Sequence, residues 1–335
     1  MRVVALAGGV GGSLFLLGLR AALAGGAHDV TVIGNTGDDL TVHGLRVCPD
    51  LDTVMYTLGG GIDTDRGWGR SGETWTVLAE LAAYGVGPSW FGLGDRDIAT
   101  HLVRTRMLDT GYPLSAVTAA LCDRWQPGVT LLPMTDQRVE THVAVDLPEP
   151  DSADGIDPLL AAGAPVGERR AIHFQEWWLR HRARLPAHAF IQVGVQDATP
   201  APGVTDALCT ADLVILAPSN PVVSVGTILG VPGIRDALLS APGQVVGLSP
   251  IVGGAPLRGM ADACLRAIGV ATTAEAVGRH YGARADGGVL DAWLVDERDA
   301  GATVPGVDGC AVPLLTTDAA ATEAMARATI GAGAR

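Results

Sequence analysis

The chain has 335 residues, 48% of them hydrophobic, and a formal net charge of −13; its cationic side chains are arginines, because it contains no lysine. This length and apolar content predict one large domain or two coupled domains. The acidic balance argues against a nucleic-acid-binding protein, and the missing lysine excludes a Walker-type phosphate loop and Schiff-base catalysis.

Neither a membrane span nor a signal peptide is predicted. No stretch of about 18 apolar residues is free of charges and turn residues, and the first residues lack the apolar region and cleavage site of a secretory signal. The five cysteines are scattered without metal-ligand spacing, which is typical of reduced thiols. The expected location is the cytoplasm.

A glycine-rich turn follows the first predicted strand, Val3–Ala7, and leads into a helical pattern from Ser13. Glycine lets the backbone approach a phosphate, and the free N–H groups of the first helical turn point at it. The pattern therefore predicts an anion site formed by Gly8, Gly9, Gly11 and Gly12. The dinucleotide fingerprint is incomplete, because Leu14 replaces its third glycine. The alternative is a tight strand–helix turn that requires positive φ.

Acidic residues follow the second predicted strand, 29–34, which completes a β-α-β unit and predicts a Rossmann-like α/β fold, a doubly wound and mostly parallel sheet. Carboxylates close to a phosphate loop suit Mg²⁺ that bridges to phosphate oxygens. The alternative is that they terminate the strand and cap the next element. The residues concerned are Asp38, Asp39, His43, Asp50 and Asp52.

The middle of the chain predicts helices and loops from about 50 to 125, then a small β-containing insertion over 129–190 with a loop at 148–168. A Gly-Asp-Arg-Asp turn stands before a helix, and Asp95 and Arg96 are candidates for substrate contact, since arginine binds carboxylates and phosphates with forked donors. The alternative is that Asp97 caps the helix and pairs with Arg96. The predicted division is a core of 1–50 and 200–335 with a helical and β insertion over 51–199.

Two further apolar runs, at 213–217 and 244–248, end in small polar loops, and the first of these contains Ser219 and Asn220 between two prolines. Ligands of open α/β sheets bind beyond the carboxyl ends of the strands. The loops that follow these two runs and the first two strands are therefore expected to converge on one site.

Eight segments in order resemble the 2-phospho-L-lactate transferase family of coenzyme F-420 biosynthesis, and the resemblance covers essentially the whole chain. They lie at 8–12, 35–39, 48–53, 93–97, 132–136, 173–175, 218–221 and 249–253. Two longer segments, 56–63 and 66–69, resemble the actinobacterial phosphoenolpyruvate transferase branch of that family.

The resemblance implies a Mg²⁺-dependent transferase that moves the phosphoenolpyruvyl group from enolpyruvyl-2-diphospho-5'-guanosine to the ribityl hydroxyl of the deazaflavin FO. The products are dehydro coenzyme F-420-0 and GMP, and the family also implies a homodimer. Transfer of the phospholactyl group from lactyl-2-diphospho-5'-guanosine is an alternative. A nucleotide-sugar-binding regulator of the same fold is another.

Roles are carried over by resemblance. Asp38 is expected at the metal and catalytic centre with Asp39 as a second ligand and Asp50 as a helper. The glycine turn, Ser219 and Asn220 are expected to hold the guanosine phosphates. Asn35 and His43 are expected near the deazaflavin chain, and Met134 near its ring. Where relatives often carry Ala-Arg, this chain has Ser13-Leu14, which leaves Arg46, Arg96 and Arg258 as candidates for the missing cation.

Overall fold

The computed structural model describes residues 1–146 and 169–334. The loop predicted at 148–168 lies outside them. The strands are β1 (Arg2–Ala7), β2 (Asp29–Gly34), β3 (Leu40–Val42), β4 (Leu45–Val47), β5 (Thr130–Pro133), β6 (Glu140–Asp146), β7 (Arg169–His173), β8 (Ala189–Val193), β9 (Leu213–Leu216), β10 (Gln244–Leu248), β11 (Ile251–Val252), β12 (Ala255–Pro256), β13 (Ala292–Val295) and β14 (Asp308–Ala311).

The helices precede and follow these strands in the alternating pattern expected of an α/β chain. They are α1 (Gly9–Ala22), α2 (Pro49–Leu58), α3 (Thr76–Ala83), α4 (Asp95–Asp109), α5 (Leu114–Trp125), α6 (Val204–Cys209), α7 (Val225–Gly230), α8 (Ile234–Leu239), α9 (Ala261–Ala267), α10 (Ala274–Tyr281) and α11 (Ala319–Gly333). Within the described ranges, none of the helices combines the length and apolar character that a bilayer crossing requires.

A central sheet of seven strands organises the described residues, in the order β14-β13-β10-β9-β1-β2-β5. Every pair of neighbours is parallel. The chain builds the sheet outward from β1 in one direction through β2 and β5, and in the other from β9 through β14. The direction of winding therefore reverses between β1 and β9, and ligands of doubly wound sheets bind at this reversal.

Helices cover both faces of the sheet, because alternate residues of each strand point to opposite faces. In β1, Val3 and Ala5 belong to a core with α1, α2, α5 and α11. Val4 and Leu6 belong to the other core, which includes α6 to α10. Burial on both faces explains why the strand sequences are continuous apolar runs, and the arrangement confirms the predicted doubly wound fold.

A second sheet of three antiparallel strands, in the order β7-β6-β8, is formed by strands from the middle of the sequence. It corresponds to the predicted small β insertion. One boundary was wrong, however: residues 130–133 form β5, which pairs in parallel with β2 at the edge of the central sheet. The strand is short and its own four residues do not reveal its partner. The wider division at 50 and 200 stays a prediction.

Candidate functional site

A cavity of about 970 Å³ opens at the carboxyl edge of the central sheet. The loops after β1, β2, β9 and β10 contribute to its lining through Gly8, Asp38, Ser219 and Pro250, respectively. The predicted convergence of these four loops is therefore confirmed. The cavity lies where the winding of the sheet reverses, which is the usual ligand position for this architecture.

The glycine turn is hydrogen-bonded to the loop after β9. The backbone N–H of Gly8 donates to the hydroxyl of Ser219 at 3.1 Å, and that hydroxyl donates to the carbonyl oxygen of Gly8 at 2.8 Å. A side chain at Gly8 would collide with the Asp50 carboxylate, and a Cβ at Gly11 would lie 2.7 Å from the carbonyl oxygen of Pro218. Close packing therefore requires glycine at these two positions.

Only Gly9 within this turn has a positive φ, at 63°. The alternative interpretation, a turn that needs positive φ, thus explains one glycine of the four. The turn leads directly into α1, whose extended N-cap residue Gly8 has no side chain to cap the helix. The start of α1 lines the cavity through Gly9, Val10 and Gly11, where helical N–H groups favour an anion. The backbone of Gly9 already contacts one anion, the Asp50 carboxylate.

Asp38 and Asp50 face this turn as a pair of buried carboxylates, 5% and 6% exposed. The amide of Asn35 donates to Asp50 at 2.9 Å, whereas the Oδ1 atom of Asp38 is buried and has no hydrogen-bond partner among the residues that the structure describes. Burial, together with the nearby charge of Asp50, raises the pKa of Asp38 well above its usual value. Burial raises the pKa of Asp50 to about 6.

This pair fits a divalent cation. A buried carboxylate oxygen without a partner is costly unless a cation or a proton neutralises it. Within the described part of the chain, no group of three or more His, Cys, Asp or Glu side chains forms a metal site. Mg²⁺ commonly takes one or two carboxylates and completes its shell with phosphate oxygens and water. The arrangement therefore suits a metal that arrives with a phosphate ligand.

Asp39 points away from the cavity and forms an ion pair of 3.1 Å with Arg46. Its backbone carbonyl oxygen lies 3.2 Å from the Nε2 atom of His173. Burial raises the pKa of Asp39 to about 6 although Arg46 opposes that change. This placement favours a structural ion pair, so the metal-ligand role of Asp39 stays a prediction without geometric support. It also engages Arg46, one of the three candidate phosphate cations.

Asp52 lines the cavity from α2 and is bound by the guanidinium of Arg104, a fully buried residue of α4. Arg104 also donates to the Nδ1 atom of His101 at 2.9 Å. The Nε2 atom of His101 lies 3.4 Å from Asp97, which accepts a hydrogen bond of 2.7 Å from the Tyr56 hydroxyl. These five side chains form a buried network, and Arg104 was missed because its partner lies 52 positions away in the sequence.

The Asp95–Asp97 turn takes part in the hydrogen bonds that cap helices α3 and α4. Glu73 accepts hydrogen bonds of 2.7 Å from the backbone N–H groups of both Arg96 and Asp97, so Glu73 and not Asp97 caps α4. Asp95 accepts from the backbone N–H of Val77 at 3.0 Å and thereby caps α3. Neither Asp95 nor Arg96 is among the residues that line the cavity. Their predicted substrate contacts stay predictions.

The residues expected around the deazaflavin lie behind the cavity wall. Asn35 is fully buried; its side-chain amide donates to Asp50, and its side-chain oxygen accepts from the backbone N–H of Gly37. Met134 has no exposed surface and packs in one of the two cores. His43 stands in the β3–β4 turn with a φ of 50°. None of the three lines the cavity, and their contacts with substrate stay predictions.

An aromatic and cationic wall completes the cavity, and sequence reasoning missed most of it. Arg66 is paired with Asp63 at 2.8 Å, and its guanidinium lies 5.1 Å from the ring centre of Trp68 and 5.0 Å from that of Trp75. Of the adjacent tryptophans 177 and 178, the first is fully buried and only the second faces the cavity. The remaining members of this wall are Trp90, Phe91, Leu179, Arg182 and Arg258.

The chain is similar to known transferases along nearly its whole length. The family model described as "2-phospho-L-lactate transferase CofD" matches residues 3–308. A phosphoenolpyruvate transferase from Mycobacterium sp. (strain JLS) is 59% identical, with 98% of this chain and 97% of the relative covered. Those from Thermobifida fusca and Streptomyces coelicolor are each 60% identical, with 98% of this chain and 97% and 96% of the relative covered, respectively.

Solved structures agree at the level of the fold. A member of the UPF0052 family from Bacillus halodurans superposes with a TM-score of 0.57 at 16% identity, with 98% of this chain and 99% of that chain covered. Such a low identity shows a common fold and nothing about the ligand. The family model and the relatives close to 60% identity go further, and the chain therefore belongs to the 2-phospho-L-lactate transferase CofD family.

Proposed function

We propose that the protein is a Mg²⁺-dependent phosphoenolpyruvate transferase that uses enolpyruvyl-2-diphospho-5'-guanosine as donor and FO as acceptor. The observation that carries the proposal is the identity of 58–60% to curated phosphoenolpyruvate transferases over 97–98% of the chain. The cavity supports it, because it combines a glycine turn, two adjacent carboxylates and an aromatic wall.

The reaction joins the terminal ribityl hydroxyl of FO to the phosphorus that carries the enolpyruvyl group. The hydroxyl oxygen forms the new P–O bond and loses its proton, the bond from that phosphorus to the bridging oxygen of the diphosphate breaks, and GMP leaves. Such in-line transfers depend on positioning and charge neutralisation. The reaction therefore needs no covalent enzyme nucleophile, which is consistent with a chain that has no lysine.

Named residues have distinct tasks in this proposal. The N–H groups at the start of α1 bind diphosphate oxygens, and Ser219 holds the turn in shape through Gly8. Asp38 and Asp50 hold Mg²⁺, which when bound neutralises charge on the phosphoryl oxygens. Asn35 orients Asp50 by its hydrogen bond. The aromatic wall, which includes Trp90 and Trp178, offers flat apolar surface to the deazaflavin ring.

Mixing the purified protein with FO, the enolpyruvyl donor and Mg²⁺ tests the proposal. Chromatography should show GMP release that depends on all three additions, and mass spectrometry should show a product two daltons lighter than the lactyl one. Preference for the lactyl donor would reassign the donor. Absence of GMP release with both donors, together with thermal stabilisation by a uridine diphosphate sugar, would favour the regulator instead.

The homodimer is also proposed from the family and not from contacts of this chain. Light scattering during size-exclusion chromatography measures the molar mass directly. A dimer should give about twice the 34.3 kDa of one chain, and a mass equal to one chain would contradict this part of the proposal.

A further inference from the structure

Three arginines of the described residues line the cavity, and they differ in the groups that already bind them. Arg66 is paired with Asp63 and covered by two tryptophans. Arg182 and Arg258 line the same cavity, and in the described residues neither takes part in an ion pair, unlike their neighbours Arg180 and Arg266. Two exposed arginines at the cavity therefore have no acidic partner among the described residues, in a chain that has no lysine.

Both arginines stand in constrained turns. Arg182 has a φ of 50° and is followed by Ala183 at 48°, a conformation that residues with a side chain rarely adopt. This turn directly follows the π-helical segment Glu176–Arg180. Arg258 precedes Gly259, whose φ is 68°. The left-handed conformation of Arg182 persists only where the surrounding structure holds it, whereas Gly259 adopts its positive φ without strain.

The other charged groups of the cavity already have partners or a task. Asp97 is contacted by His101 and Tyr56, and one carboxylate oxygen of Asp52 is bound by Arg104. Asp38 and Asp50 face the glycine turn, where the proposed diphosphate and Mg²⁺ bind. The proposed donor carries one further anion, the carboxylate of its enolpyruvyl group. The charge of the proposed Mg²⁺ is already balanced by the Asp38–Asp50 pair and the diphosphate, so this carboxylate calls for a cationic side chain elsewhere in the cavity.

We propose that Arg182 and Arg258 form the subsite that binds the carboxylate of the donor's three-carbon acid. The proposal rests on the proposed function and names the residues that select its substrate class, a nucleoside diphosphate ester of a 2-hydroxy or 2-enol carboxylic acid. Arginine suits this task because its planar fork matches a carboxylate with two parallel hydrogen bonds. It also answers which cation replaces the arginine absent at Leu14: Arg258 together with Arg182, rather than Arg46 or Arg96.

Binding measurements with three ligands test the subsite. The lactyl ester of guanosine diphosphate carries the carboxylate, the ethyl ester has the same phosphates without it, and GDP has neither ester. Calorimetry with Mg²⁺ would give the Kd of each ligand for the wild-type protein, Arg182→Gln and Arg258→Gln. Arg266→Gln is the matched control, because this exposed arginine is paired with Asp262 outside the cavity.

The expected result is selective. Each cavity variant should weaken the lactyl ester by about tenfold, as expected for losing one charged hydrogen-bond pair, and leave the ethyl ester and GDP within twofold. Arg266→Gln should change none of the three. An equal loss for all three ligands would show that the arginines bind the diphosphate, and no loss for any ligand would remove them from the site; either result overturns the proposal.

Turnover separates this inference from the proposed function. If wild-type protein binds the lactyl ester more tightly than the ethyl ester but releases no GMP from either donor, the transferase proposal fails while the carboxylate subsite stands. If GMP is released and both variants keep the wild-type KM for the donor, the subsite fails and the transferase stands. Circular dichroism confirms that each variant is folded before it is compared.

Discussion

The side-chain amide of Asn35 donates a hydrogen bond of 2.9 Å to the carboxylate of Asp50. The same carboxylate fills the space that a Cβ at Gly8 would need. Asp50 is thereby held between the end of β2 and the end of β1, next to Asp38. Asp50 accepts this bond, whereas the Oδ1 atom of Asp38 has no hydrogen-bond partner within the described residues.

Replacing Asp38 with asparagine should separate activity from stability. The substitution keeps the shape but removes a buried charge, so we expect GMP release to fall at least a hundredfold, as when a group that neutralises developing charge is lost. The melting temperature of the ligand-free protein should stay the same or rise, because a buried charge without a partner opposes folding. Unchanged turnover in Asp38→Asn would contradict the catalytic role.

Asp50 predicts how the stability of the metal-free protein changes with pH. Because burial raises its pKa to about 6 from 3.8, the folded state keeps a proton between these values that the unfolded chain releases. The stabilisation that comes from this retained proton is complete below the unfolded pKa of 3.8. It is lost as pH rises through the folded pKa of about 6. At about 1.4 kcal/mol per pKa unit, the free energy of unfolding falls by roughly 2–3 kcal/mol between pH 4 and pH 7.

Asp50→Asn provides the comparison, since its amide does not titrate. Urea unfolding of both proteins in a chelator should give similar free energies near pH 4. At pH 7 the wild-type protein should be the less stable of the two by the amount stated above. A difference that does not change with pH would show that Asp50 titrates normally in the folded state.

Removing Arg104 should destabilise the protein without reaching the glycine turn. Arg104→Gln leaves Asp52 buried with its charge uncompensated, and losing one partner of a buried ion pair costs about 3–5 kcal/mol. Arg106→Gln, an exposed position in the same helix α4, should cost less than about 0.5 kcal/mol. Denaturant unfolding measures both, and equal free energies for the two variants would contradict the buried network.

Two glycine-to-alanine changes in helices should have opposite effects. At Gly11 in α1 the added methyl group would lie 2.7 Å from the carbonyl oxygen of Pro218, whereas at Gly331 in α11 it meets nothing within 4 Å. We expect Gly11→Ala to lower the affinity for GDP and the melting temperature. Gly331→Ala should stabilise the protein by up to about 1 kcal/mol, the helix preference of alanine over glycine. Comparable melting temperatures would show that the turn tolerates a side chain.

Much of the fold could be predicted from the sequence because strands that are buried on both faces consist of continuous apolar runs. The runs at 3–7, 29–34, 213–217 and 244–248 correspond to four neighbouring strands of the central sheet. The apolar residues Val289 and Leu290 precede β13, which begins only at Ala292. Local pattern identifies an element better than it identifies the element's ends or its partner, as β5 shows.

The site was harder to predict because it depends on which side chains meet across the fold. Asp38 and Asp39 are neighbours of the same type, but Asp38 lines the cavity and Asp39 forms an ion pair with Arg46 on the β3–β4 hairpin. Arg182 and Arg258 are 76 positions apart and line the same cavity, and no local sequence pattern predicts that they do so. Residue type therefore identified the chemistry of the site, and the tertiary fold selected the residues that can perform it.

The hydrogen bonds between Gly8 and Ser219 also set an order of events during synthesis. These residues are 211 positions apart, and β1 cannot pair with β9 until residues 213–216 have been made. At about 5–20 residues per second, the first strand waits for roughly ten to forty seconds with one edge uncovered. A nascent chain shorter than this has the glycine turn but lacks Ser219, whose hydroxyl holds that turn in the finished protein.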